Sequence, residues 1–156
     1  MALKVLTTAL DLCYTVTMKR YICLDIGDKR VGVAVSDPLG SMALPYETYY
    51  RKNFNEDLKY LANLAKMRGA DVIVCGLPVN FDGSKSEQTD KTQTFIDELK
   101  KVTTIPIEVQ DERFTTREAQ RILISENMRR DKRKTVVDAV AASFILEDYM
   151  RKQSMK

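Results

Sequence analysis

From Tyr21 to Ser36 apolar residues run almost unbroken, YICLDI and then VGVAVS, with the polar GDKR between them. Two short apolar runs around a polar, glycine-containing turn predict a β-hairpin, with strands over about Tyr21 to Ile26 and Val31 to Ser36. Gly27 is expected to take a positive φ in that turn. A third strand is predicted in SMALPYETYY, where Pro45 argues for an edge or an end of the sheet. The period then changes. In NFNEDLKYLANLAKMRG, Phe54, Leu58, Leu61 and Ala65 recur at helical intervals, Asn53 and Glu56 have capping-box spacing, and Gly69 supplies a C-terminal stop.

DVIVCGLP is a continuous apolar run, the pattern of a parallel strand covered on both faces. A polar loop, VNFDGSKSEQ, leads to a helix carrying Phe95, Ile96, Leu99 and Val102. IPIEVQDER predicts a last strand ending on Asp111 and Glu112. Thr115 and Glu118 form a second capping box that opens the helix REAQRILISEN. TVVDAVAASFILEDYMRK predicts the final helix, with Val137, Val140, Ala141 and Phe144 on one face and Asp138 in its first turn. An antiparallel hairpin followed by alternating strands and helices predicts an α/β fold with a mixed sheet. Residues 18–152 are read as one domain. Residues 1–17 lack a clear signal-peptide pattern and are read as a poorly ordered extension or an upstream start.

Composition narrows the chemistry. The 156 residues contain no His, which excludes Ser-His-Asp and Cys-His nucleophilic systems, imidazole acid/base catalysis and imidazole zinc sites. The three cysteines, Cys13, Cys23 and Cys75, make no CxxC pair, and two lie in apolar runs where a free thiol packs as a small hydrophobe, which suits a reducing cytosol. No apolar stretch approaches a membrane span. A net charge of +3 identifies no partner, but MRRDKRK packs five basic residues and one acid into seven positions. That local field suits a polyanion, although a charge run is more often a solvated surface.

With imidazole excluded, hydrolytic chemistry would rest on carboxylates. Asp25 closes the first strand, Asp111 and Glu112 close the last, and Asp138 opens the final helix. Carboxylates gathered from separate elements suit Mg²⁺ or Mn²⁺, and a pair of such ions activates water for phosphodiester hydrolysis. Each acid also has a plainer account. Asp25 can form an Asx turn, Asp111 and Glu112 can favour a helix dipole, and TVVD around Asp138 can be a cap.

Four blocks, LDIGDKRVGVAVSDPLG, GLPVNFDG, DERFTTREAQ and VVDAVAASFILEDY, then occur in a characteristic order. In them the chain resembles the YqgF/RuvX family of pre-16S rRNA nucleases, ribonuclease H-like proteins related to the Holliday-junction resolvase RuvC. The resemblance covers about Met18 to Arg151. It implies a five-stranded mixed sheet flanked by helices, with acids clustered at one edge of its centre. It also implies that Asp25, Glu112 and Asp138 hold one or two Mg²⁺ or Mn²⁺ ions and are catalytic. By the same resemblance Asp111 is the less favoured second acid, and strand alternation sends it and Glu112 to opposite faces, so the two should not both be direct ligands.

The implied partner is nucleic acid: structured precursor rRNA, with ribosomal particles in attendance, or a four-way DNA junction. Lys29, Arg30, Asn80, Arg113 and the basic run Arg129, Arg130, Lys132, Arg133 and Lys134 are its expected contacts. The protein is expected to be cytoplasmic, off the membrane, and a monomer or homodimer. Asn80 and Gly83 shape either a substrate-facing loop or a plain turn, and Lys85 departs from a loop that is often more acidic in relatives. Other readings compete. The D-x-G hairpin also resembles the phosphate loop of actin- and hexokinase-like ATPases, which pair two such domains, and the same platform can serve a non-catalytic RNA-binding assembly or transcription factor.

Overall fold

The computed structural model describes residues 19–80, 82–112, 122, 126 and 129–156, with the backbone alone for residues 112, 131, 134 and 135. Residues 1–17, Arg113, the capping box at Thr115 and Glu118, and all of the helix expected over 117–127 except Ile122 and Glu126 lie outside the described residues, as do the side chains of Glu112 and Lys134.

Five strands, β1 (Tyr21–Ile26), β2 (Arg30–Ser36), β3 (Ala43–Tyr50), β4 (Val72–Pro78) and β5 (Ile107–Glu112), form one sheet in the order β3-β2-β1-β4-β5. The β1–β2 and β2–β3 pairs are antiparallel, whereas β1–β4 and β4–β5 are parallel, giving the expected mixed α/β sheet. Pro45 does lie on an edge strand. It pairs with Ala34 where the β2–β3 register slips, so its missing N–H falls at an irregularity.

Alternation along the central strands builds two cores. Ile22, Leu24, Ile26, Val31, Val33 and Val35 pack beneath two helices, α1 (Phe54–Met67) and α2 (Glu87–Val102). Cys23, Ala34 and Val74 face the long α3 (Arg130–Ser154), which brings Ala142, Ile145, Leu146 and Tyr149 onto them. Burial on both faces is why β1, β2 and β4 read as unbroken apolar runs. Cys23 and Cys75 are buried, and burial pushes the Cys75 thiol up to about 12.

The helix ends follow local chemistry. Asn53 Oδ1 accepts from the Glu56 N–H at 2.9 Å, and Gly69, at φ +66, lets the chain leave α1. Ser86 and Thr89 form a capping box at the start of α2, whose far end is wetter than expected because Val102 is 49% exposed. The start of α3 differs most. It begins at Arg130, five residues before the expected Thr135, so Asp138 lies in its third turn and TVVD is helix interior. The physical reason is propensity: RRDKRK contains neither Gly nor Pro, and Arg and Lys are good helix formers. The expected apolar face of this helix does form one cluster, Val137 and Ala141 with Val140, Phe144 and Val136, and Ala142, Ile145, Leu146 and Tyr149 add a second apolar set.

Candidate active site

Asp25 is the fifth residue of β1, and its partner across the antiparallel pair is Gly32. Because Cys23 faces α3 and Leu24 faces α1 and α2, alternation places Asp25 on the α3 face, with Gly32 opposite. Gly32 has a specific reason to be glycine. A Cβ there would stand 2.0 Å from the Asp138 carbonyl oxygen and 2.4 Å from its carbon, so α3 rests directly on the β2 backbone. That contact sets the third turn of α3 against the strand paired with Asp25. Two of the three expected acids therefore converge on one face.

The third is placed by register. Along β4–β5, Val74 pairs with Glu108 and Gly76 with Gln110, on the α3 face, whereas Leu77 pairs with Asp111 on the other. Pro78 pairs with Glu112, which returns to the α3 face. Buried Gln110 marks the same face by donating to Asp148 of α3 at 2.6 Å. Glu112 therefore occupies a position on the side of Asp25 and Asp138, two strands from Asp25, and Asp111 does not. Continuing the β1–β4 register puts Gly76 beside Asp25, so the intervening strand adds no side chain there.

The Asp138 carboxylate carries an ion pair. Arg30 Nε donates to Asp138 Oδ2 at 2.8 Å, with the two side chains 40% and 21% exposed. Arg30 begins β2 and stands two residues before Gly32, hence on the same face. Its guanidinium is turned to an acid of the candidate site rather than outward.

Lys29 is exposed at the hairpin tip, and Arg129, Arg130 and Lys132 are exposed at the start of α3, while Arg133 is half-buried. The basic run thus forms the first turns of α3 rather than a loop before it, an arrangement the helix dipole disfavours and a bound polyanion would favour. Asn80 belongs to a self-closed turn: its amide donates to Ser84 Oγ at 2.9 Å, and Gly83, at φ +81, donates its N–H to the Asn80 carbonyl.

The sequence profile of the RuvX family, described as Holliday junction resolvase, matches residues 19–152. The chain belongs to the RuvX family. A relative from Halothermothrix orenii, named as a candidate pre-16S rRNA nuclease, is 44% identical over 135 residues, covering 86% of this chain and 96% of its own. One from Halalkalibacterium halodurans, with the same name, is 42% identical over 139 residues, covering 88% and 99%. In fold the chain is similar to Thermus thermophilus RuvC bound to a Holliday junction substrate, with a TM-score of 0.57 and 9% identity over 88% of this chain and 97% of that one. The Fowlpox virus resolvase, solved with Holliday junction DNA, gives 0.52 and 16% identity over 86% and 98%. These likenesses place the sheet in the ribonuclease H-like class.

Within this RuvX fold, the donor set suits a hard divalent ion: two carboxylates around Gly32 and a Glu position on the same face, all oxygen ligands. Among the described residues no three His, Cys, Asp or Glu side chains form a finished cage.

One supporting network has no motif in the sequence. Asp57, 1% exposed at the start of α1, accepts from Arg51 Nε at 2.9 Å, Tyr49 OH at 3.0 Å and the Lys52 N–H at 2.9 Å. Burial pushes its carboxyl up, but the Lys52, Arg51 and Tyr49 hydrogen bonds outweigh burial and hold it below the usual range. Burial and the bond to Asp57 push the Tyr49 hydroxyl up to about 12. Arg51 also donates to the Gly27 carbonyl at 2.9 Å, and its N–H to that of Lys29 at 3.0 Å, so this cluster holds the hairpin beside Asp25. Gly27 itself is not at positive φ, contrary to expectation. Its N–H meets the Arg30 carbonyl at 2.9 Å, and a Cβ would lie 2.8 Å from that oxygen. Close approach, not handedness, calls for glycine there.

Proposed function

We propose that this RuvX-family chain is a cytoplasmic, divalent-metal-dependent nuclease that trims structured precursor rRNA at the 5′ end of 16S rRNA. Family membership makes it a nuclease, a hydrolase of phosphodiester bonds. The observation that best supports the carboxylate mechanism is the meeting of Asp25 and Asp138 around Gly32, on the face to which Glu112 is assigned by register. Bound Mg²⁺ or Mn²⁺ would supply an activated water and a counter-charge for the leaving oxygen. Asp25 is assigned the central ligand position, with Asp138 and Glu112 flanking it. The hairpin anchored by Arg51 fixes Asp25, and the exposed cations Lys29, Arg129, Arg130 and Lys132 supply positive field for the phosphate backbone. Among the described residues no helix is long and apolar enough to cross a membrane.

A second reading, resolution of four-way DNA junctions, is supported by the family description and the RuvC-like fold. It requires a homodimer presenting two sites, whereas rRNA trimming is open to a monomer. The experiment offers a precursor 16S fragment and a four-way junction in parallel, with Mg²⁺, Mn²⁺ or chelator. Ion-dependent cleavage of the RNA alone is expected, and cleavage of the junction alone would transfer the function to the second reading. Asp25→Asn should reduce cleavage at least about 10²-fold, equivalent to about 2.7 kcal/mol of barrier, with an unchanged melting temperature. Undiminished turnover would remove Asp25 from the mechanism.

A further inference from the structure

Arg30 was expected to meet nucleic acid, yet its guanidinium is bound to an acid of the site. The pair joins the first residue of β2 to the third turn of α3 and is half-screened from solvent. A guanidinium and a divalent ion on one carboxylate repel each other and compete for the same lone pairs. Arg30 lies across the hairpin from Gly27, on the Asp25 face, and the acid it pairs with is Asp138.

We propose that Arg30 is an internal counter-cation of the active site: it holds Asp138 while the site is empty, a divalent ion displaces it, and the freed guanidinium then takes a phosphate of the nucleic acid. Ion loading and phosphate capture thereby become mutually reinforcing, since by linkage each must raise the affinity for the other. The inference rests on the carboxylate reading given above. It assigns Arg30 a positioning role and predicts that its value to substrate binding depends on the ion.

Three measurements on the full chain test it. Electron paramagnetic resonance of free Mn²⁺, without nucleic acid, should show Arg30→Gln binding Mn²⁺ about fivefold to tenfold more tightly than wild type, the size expected for removing one partly exposed neighbouring charge. In an Asp138→Asn background the same substitution should change affinity by less than about twofold. Second, anisotropy with a ten-nucleotide RNA in Ca²⁺ should show Arg30→Gln weakening RNA binding, whereas with chelator the two proteins should bind alike. Third, the Arg30 Nε–H resonance of wild type should shift on Mg²⁺ titration, a readout that needs no variant to fold. Unchanged or weaker Mn²⁺ binding by Arg30→Gln, an ion-independent RNA defect, or an unmoved Nε–H resonance would overturn the counter-cation role. A different result, Mn²⁺ affinity indifferent to both Asp25→Asn and Asp138→Asn, would overturn the carboxylate reading itself.

Discussion

Replacing Gly32 by Ala tests the contact on which the site is built. Ordinarily Gly→Ala at a permitted backbone conformation stabilises a protein by about 0.4–1 kcal/mol, because the unfolded chain loses freedom. At position 32 the sign should reverse. The new Cβ would meet the Asp138 carbonyl oxygen at 2.0 Å, and opening this to ordinary contact at 3.4 Å requires about 1.4 Å of movement. The obstacle is helix backbone, so no rotamer change relieves it, and α3 must lift from β2. Lifting loosens Ala142, Ile145, Leu146 and Tyr149 against Cys23, Ala34 and Val74. Overpacking costs about 1–3 kcal/mol, and a backbone obstacle belongs at the upper end, about 3 kcal/mol. For a domain of this size, that lowers the melting temperature by roughly 6–12 °C. Circular dichroism melts of wild type and Gly32→Ala measure the shift, and cleavage by the variant should fall as well because Asp138 retreats with the helix. A Gly32→Ala protein as stable as wild type, or more so, would refute the placement of α3 against β2.

Strand register yields a sharper test of the acids: Glu112→Gln should cut cleavage at least about 10²-fold, while Asp111→Asn, on the opposite face, should leave it within about threefold, as read in single-turnover assays. Asp57→Asn should cost about 3 kcal/mol in urea unfolding at pH 7, because Arg51 loses its partner in a largely buried pair. The folded carboxyl is held low. Its stabilisation is therefore complete above the unfolded aspartate value of about 3.9 and is lost as pH falls through the lower folded value, so the gap between wild type and Asp57→Asn should close in acid. A gap that stayed constant down to pH 2 would show that Asp57 stabilises by shape rather than charge.

Strands were the most legible part of the chain, because β1, β2 and β4 are buried on both faces and leave near-continuous apolar runs. Asp25 was legible for the same reason, since a carboxylate stands out in such a run. Asp138 could be found as an acid but not located in its helix: the cap signal at TVVD competed with the good helix formers before it, and propensity prevailed. The Arg51, Asp57 and Tyr49 cluster was hidden because its members are ordinary surface residue types until tertiary packing buries one carboxylate among its donors.

Gly32 shows where a sequence signal was available and unused. Glycine inside an apolar strand weakens that strand unless something comes close to it, so its presence in VGVAVS already asks for a neighbour. Here the neighbour is the Asp138 carbonyl. Three consequences then share one cause. Glycine at 32 lets α3 touch β2, that contact puts Asp138 on the Asp25 face, and Arg30, two residues back on the same strand, reaches the carboxylate delivered there. The acids therefore meet through backbone contact between elements rather than by attraction, which like charges would oppose. A cation is what such a meeting requires, and Arg30 supplies one at Asp138.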